Sequence, residues 1–404
     1  MENGYQLPRT EDGGLTGKIS LGPVTVDPTR YILAVRLRAQ PIEWFKFTDK
    51  SPGEDEEGFD DQLNIATPDI VNILFAGTMA KNISYFFELE GNARHEEFVL
   101  ERGFFILSNI GGYNIASLRV GRFDPSSYFS YSTHRQFLLP IQPKVEEGEP
   151  LPGALERAPL VPNAFALKFF GLFSGEGAGL LPLRPFFFNS PAEYTIDVHG
   201  RPFGKAFLYQ VGIVQGGGAE LEDVNTEKDF FFMGRFDFGG ANFLSGNVST
   251  FLYKANNSVR LPKMEAMQMA PGEFGDITRW GVGANLRWKM LDLYGAYITD
   301  KVENTEDIPM MMRGNFDDDA WGLTVELDVL ARQWLLLSAR YDHMDAGGMK
   351  AAKANSTLLG LQAKFYPVDN IGFMIRNDFN LEDDGVHALR RTRNAFIIGT
   401  EFAF

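Results

Sequence analysis

From Tyr31 onward, apolar side chains recur at every second position in short runs bounded by Gly, Pro, Asn or Asp. The final eleven residues show the pattern plainly. Phe396, Ile398, Thr400, Phe402 and Phe404 share one face of a strand, and Ala395, Ile397, Gly399, Glu401 and Ala403 share the other. Val71, Ile73, Phe75, Gly77 and Met79 form one apolar face, and Ile83, Tyr85, Phe87 and Leu89 form the next, with Glu88 and Glu90 behind. Leu33, Val35, Leu37 and Ala39 alternate with Arg36 and Arg38, and Leu118 and Val120 flank Arg119. Arginines on so apolar a strand need water on their own side.

Read this way, the chain predicts strands starting near Tyr31, Ile70, Ile83, Glu97, Ile115, Tyr194, Lys205, Asp229, Phe243, Ile277, Leu291, Ala320, Trp334, Ser356 and Ile371, with a closing strand from Asn394. Short turns at Gly239-Gly240, Leu330 to Gln333 and Pro367 to Asn370 alternate with longer polar loops. That asymmetry predicts an all-β transmembrane antiparallel barrel. With the short turns and both termini placed in the periplasm, parity makes the interruption at 124–192 the third extracellular loop and gives sixteen strands. Eighteen result if Ala164 to Phe173 and Leu183 to Phe188 form a membrane hairpin. Residues 1–30 are expected to be a periplasmic segment and 31–404 the barrel. On the Ile277 strand, Trp280 and Trp288 face outward eight residues apart, about 26 Å along the strand, a spacing suited to two interfacial girdles.

Composition narrows the class. No stretch reaches the roughly 18 consecutive apolar residues of a spanning helix, and the mean hydropathy is slightly negative, as expected where apolar positions alternate with lumen-facing polar ones. The chain has no Cys, which excludes disulfides, thiol chemistry and covalently attached haem. A net charge of −15 argues against a nucleic-acid partner. Met1 is followed by Glu2-Asn3-Gly4 without a basic or apolar leader, so a barrel reading expects a signal peptide already removed. No catalytic set, metal-ligand cluster or phosphate loop stands out, and the chain reads as a non-enzyme without a cofactor.

Strand phase turns Arg36, Arg38, Arg119, Arg235, Arg279, Arg287, Arg340, Lys364 and Arg376 inward, against Glu88, Glu90, Asp237, Glu326, Asp328 and Asp378. The expected wall is mixed, with basic residues ahead. Acid concentrates in loops instead, at Glu54 to Asp61, Glu146 to Glu149, Glu220 to Asp223, Glu303 to Asp307, Asp317 to Asp319 and Glu382 to Asp384. These are solvated faces, or else a vestibule that attracts cations or holds Ca²⁺. In the third loop, Lys144, Arg157 and Arg184 with Glu146, Glu147, Glu149 and Glu156 are the candidates for a constriction.

Three stretches carry a family resemblance. Leu118-Arg119-Val120-Gly121-Arg122-Phe123-Asp124-Pro125 resembles the strand-to-loop sequence of bacterial outer-membrane porins of the phosphate-selective O/P type. Tyr209 to Gly218, followed by Lys228-Asp229 and Arg235, is similar to that group's second pattern, with Gln215 in place of its Asn. The terminal Phe404 resembles the signal read by the barrel-insertion machinery. The resemblance implies a sixteen-stranded, often trimeric porin in the outer membrane of a Gram-negative bacterium, its third loop folded into the lumen. Phosphate selectivity is not implied, because the family's basic ladder has no residue-by-residue match. The expected function is passive diffusion of ions and small hydrophilic solutes, with lipid and a homotrimer as partners. The alternative is a barrel sheathing a separate multihaem cytochrome.

Overall fold

The computed structural model describes residues 19–21, 24–26, 31–47, 62–80, 82–92, 97–125, 193–203, 206–215, 228–239, 244–255, 259–261, 272–274, 276–303, 319–346, 354–368, 371–382 and 392–403. Two three-residue strands, β1 (Ile19–Leu21) and β2 (Val24–Val26), pair with each other ahead of the barrel. The first half of the barrel is β3 (Tyr31–Phe47), β4 (Gln62–Ala80), β5 (Ile83–Asn92), β6 (Glu97–Ile110), β7 (Ala116–Phe123), β8 (Glu193–Gly200), β9 (Phe207–Val214) and β10 (Asp229–Gly239). After β11 (Leu244–Ala255), a small hairpin of β12 (Val259–Leu261) and β13 (Gly272–Phe274) intervenes. The barrel resumes with β14 (Asp276–Trp288), β15 (Leu291–Glu303), β16 (Asp319–Arg332), β17 (Leu335–Ala346), β18 (Ala354–Val368), β19 (Ile371–Glu382) and β20 (Thr392–Ala403).

Each barrel strand pairs antiparallel with its sequence neighbour, and β20 returns to β3, so sixteen strands close into a cylinder without a free side. Strands β7 and β8 pair directly, from Ser117 opposite His199 to Phe123 opposite Glu193. This corrects the eighteen-strand alternative, since no hairpin fits between two strands already joined. β3 and β4 run further than the alternation indicated, because register shifts between Arg38 and Gln40 and between Gln40 and Glu43 absorb the prolines. Pro68 falls between Ala66, which faces Gln40, and Ile70, which faces Arg38. There its missing N–H interrupts no ladder bond.

The two ends of the cylinder differ. At one end β14 turns into β15 through Lys289-Met290 alone, with Lys289 at φ 53°, and similarly short links join the other hairpins. β3 begins and β20 finishes at this end. The longer connections all emerge at the other. Two glycines are dictated by backbone geometry. Gly239 has φ 89°, and a Cβ there would stand 2.1 Å from the Leu244 carbonyl oxygen. Gly121 has φ 145°, and its Cβ would stand 2.2 Å from the Gly103 carbonyl oxygen, so β6 and β7 approach only because no side chain intervenes.

Burial is inverted relative to a water-soluble fold. The exposed face carries Leu33, Phe75, Phe105, Val211, Phe232, Val248, Leu252, Trp280, Val282, Leu327, Leu361 and Ile375, while Arg119, Arg279, Glu326, Arg340, Asp342 and Arg376 are buried. On most strands alternation puts the apolar set outside and the buried charges inside, although β9 carries no charged residue and Lys254 of β11 and Lys301 of β15 are exposed. Outside, Trp280, Tyr297, Trp321 and His343 contact one another in turn across β14 to β17, with centroid separations of 5.7, 5.9 and 4.8 Å. At the short-turn end Trp288 is exposed and Trp334 stacks on Phe365 at 6.3 Å. These are two aromatic levels on one wall, as the spacing of Trp280 and Trp288 predicts.

Candidate functional site

Three strands of the inward wall, β10, β17 and β19, carry Arg–x–Asp steps. Because the strand period is two, an arginine and an aspartate separated by one residue share a face, and the guanidinium folds along its own strand. Arg376 Nε donates to Asp378 Oδ1 at 2.8 Å, and Nη2 lies 2.7 Å from Oδ2. Arg340 Nε donates to Asp342 at 2.9 Å, Thr324 Oγ1 donates to the same carboxylate, and Arg340 Nη1 lies 3.7 Å from Glu326. Arg235 Nε lies 2.9 Å from Asp237, which also accepts from Arg201 Nη1 at 2.8 Å.

A second cluster joins β7, β8 and β9. Asp197 accepts from Arg119 Nε at 2.8 Å, Arg119 Nη2 at 2.6 Å and Gln210 Nε2 at 3.0 Å, with His199 Nδ1 2.7 Å from its other oxygen. The Arg119 guanidinium stands 3.6 Å above the Phe123 ring centroid. This is a buried carboxylate held by the Arg119 guanidinium, the Gln210 amide and the His199 ring, the arrangement that offsets the cost of removing an ion pair from water.

Toward the longer connections, Asn72 Nδ2 donates to Glu88 at 3.2 Å and Glu90 at 2.9 Å. Arg102 lies 3.1 Å from both Glu88 and Glu101. At the short-turn end the pairs keep solvent access. Arg36 Nε donates to Glu401 at 2.7 Å with side chains 27% and 25% exposed, and Lys364 Nζ reaches the same carboxylate at 3.4 Å. Arg287 Nε donates to Asp292 at 2.9 Å with side chains 65% and 25% exposed, and Asn285 also donates to Asp292.

Among the wall residues expected from sequence, Arg36, Glu88, Glu90, Arg119, Arg235, Asp237, Arg279, Arg287, Glu326, Asp328, Arg340, Lys364, Arg376 and Asp378 all sit on the inward phase of their strands. Arg38 lies in β3 opposite Glu401 in register. Lys144, Glu146, Glu147, Glu149, Glu156, Arg157 and Arg184 lie outside the described residues. So do the acidic loop tips, apart from the strand-end residues Glu303, Asp319 and Glu382.

Among the described residues the inward set also includes Glu101, Asp197, Asp229, Asp292, Asp342 and Glu401, against Arg102 and Arg201, so the acids placed there offset the basic residues expected from sequence. The Arg-Tyr-Asp run at 340–342 was the available signal for Asp342. Sequence reasoning also missed an apolar sector, in which Ala76, Phe86, Phe104, Ile106 and Phe123 are buried together on the inward phase.

No family model matches the chain, and no curated protein matches it. Among solved structures, it resembles Salmonella typhi OmpF in complex with daunomycin, with a TM-score of 0.56 at 11% identity over 93% of this chain and 97% of that one. The anion-selective porin from Comamonas acidovorans gives a TM-score of 0.56 at 14% identity over 93% and 99%. The trimer form of OmpT, an outer membrane protein of Vibrio cholerae, gives 0.53 at 9% over 93% and 99%. At these identities the likeness establishes the fold, and the chain is a sixteen-stranded barrel of the outer-membrane porin architecture.

Proposed function

We propose that this barrel is an outer-membrane channel for passive diffusion of ions and small hydrophilic solutes. The observation that carries the reading is the inverted wall of the closed sixteen-stranded barrel, its exposed face largely apolar and its buried charges on the inward phase. An apolar exterior of that extent is stable only in lipid. Sixteen tilted strands enclose a space wider than their own side chains fill, so the charged interior belongs to an aqueous passage. The groups that meet a solute are the partly exposed pairs Arg36–Glu401, Arg201–Asp237 and Arg287–Asp292. The fully buried arginines are framework. On this reading the short turns face the periplasm, the acidic loops form an outer vestibule able to hold Ca²⁺, and passage slightly favours cations. A homotrimer is part of the proposal, supported by the trimer form recorded for OmpT.

Single-channel recording of the purified barrel in a planar bilayer, with reversal potential under a salt gradient, tests this. Stable ohmic steps are expected, and folded protein that never conducts overturns the proposal. The second reading is a barrel enclosing a separate protein partner such as a multihaem cytochrome. Co-purification of haem absorbance with a non-conducting barrel would select it.

A further inference from the structure

At the short-turn end, β14–β15 and β18–β19 each turn on two residues. β6 and β7 are joined instead by five, Gly111 to Ile115, and this turn is held against its conformational preference. Asn109, Tyr113 and Asn114 have φ of 60°, 56° and 56°, and Gly111 and Gly112 have 77° and 81°. Left-handed backbone is unfavourable for a residue as bulky as tyrosine and persists only where the surroundings dictate it. Here they do. Asn109 Oδ1 accepts from the backbone N–H of Asn114 at 2.9 Å, the backbone N–H of Arg201 donates to the Asn114 carbonyl at 2.8 Å, and the Tyr209 hydroxyl donates to the Ile115 carbonyl at 3.0 Å. None of this buries Tyr113, which is 92% exposed. On the adjoining turn, two residues past Arg201, Phe203 is 76% exposed, its ring 6.3 Å from that of Phe207. No charged residue occurs from Gly103 to Leu118, in a chain of which 23% is charged.

We infer that Tyr113 and Phe203, with the exposed amides of Asn109 and Asn114, form a binding platform for neutral sugar rings at the short-turn rim. Two aromatic rings held out in water offer flat apolar surface to the C–H face of a pyranose, and the neighbouring amides supply donors and acceptors for its hydroxyls. The tip itself is uncharged, and the adjoining Arg201 is paired with Asp237, so electrostatic complementarity selects an uncharged ligand. The fixed backbone keeps the rings in place before the ligand arrives, which lowers the entropy lost on binding. Two sources supply such rings, an oligosaccharide leaving the lumen and the glycan strands of a cell wall beneath the membrane. The choice between them rests on the short turns facing the periplasm, as proposed above, whereas the platform itself does not.

The test uses the full barrel in phosphatidylcholine nanodiscs, which leave both rims open, and titration calorimetry with maltohexaose and chitohexaose as soluble probes. Binding is expected, weakened on the order of tenfold by Tyr113→Ser with Phe203→Ser and unchanged by Met290→Ser, another exposed side chain at that rim. Co-sedimentation with purified cell-wall glycan separates the two sources: a barrel that follows the glycan, and is released by chitohexaose, binds the wall, and one that binds only the soluble sugars takes passing solutes. Failure of the folded parent to bind either sugar or the wall glycan, or equal binding by the double variant, would overturn the inference. Resistance of the double variant to SDS should match the parent, because neither side chain is buried. Conductance should be unchanged as well, and a silent barrel that binds sugar would sink the channel reading and leave this one standing.

Discussion

Arg376 holds Asp378 two residues along its own strand by two contacts of 2.8 and 2.7 Å, and its guanidinium therefore lies along the wall of β19 without projecting across the barrel. The arrangement repeats on β10 with Arg235 and Asp237 and on β17 with Arg340 and Asp342. In each case a carboxylate spends its charge on its own strand.

Asp378→Asn removes the anionic partner from a guanidinium that is 2% exposed. A loss on the order of 3 kcal/mol is expected, with much of it restored by Arg376→Met and Asp378→Leu together. Urea unfolding in lipid vesicles measures both.

The half-exposed pair Arg287–Asp292 has a different role from the buried clamps. Asp292→Asn should shift the reversal potential toward anions and Arg287→Gln toward cations. Each shift should be roughly twofold in permeability ratio, from one unit charge about 8 Å from the ion in water. Equal shifts from Arg376→Gln would show that burial does not separate framework from passage.

Neighbouring residues on one strand give a direct test of the lipid boundary. Val248 faces outward and Asn247 inward on β11. Val248→Arg should cost about 2–4 kcal/mol of folding free energy in a bilayer. Asn247→Arg, one position away, should cost far less.

Gly121→Ala should prevent β6 and β7 from pairing, since the new Cβ meets the Gly103 carbonyl oxygen and Phe104 Cα. Gly295→Ala meets nothing closer than 3.7 Å and should be tolerated. Resistance of the folded barrel to unfolding in SDS before heating separates the two variants.

Outward positions were legible because lipid imposes one rule on all of them, and alternation with Phe75, Phe87, Val120 and Ile375 on one phase sufficed to place the strands. The inward phase carries no such rule. Phe86, Phe104 and Phe123 sit there as readily as Glu88 and Arg119, and period-two reasoning that assigned polar residues inward had no means to expect an apolar sector. The partners of Arg119 were hidden for another reason. Asp197 lies 78 positions away, beyond the interruption at 126–192, and only the direct pairing of β7 with β8 brings them together. The extra length of β4 was obscured by Pro68 and Asp69, which read as a loop but occupy a register shift.

The ion pair of Arg36 with Glu401 spans 365 positions, and it stitches the seam where the first barrel strand meets the last. Every other hairpin can zip against a neighbour already present, whereas the outer edge of β3 waits for the final twelve-residue strand. Until that strand arrives, β3 offers a row of unsatisfied amides and carbonyls to any passing edge. Assembly is therefore obliged to be an end-to-end event: the whole polypeptide must be in hand before the ring can shut, and whatever escorts it must shield that first edge until the end.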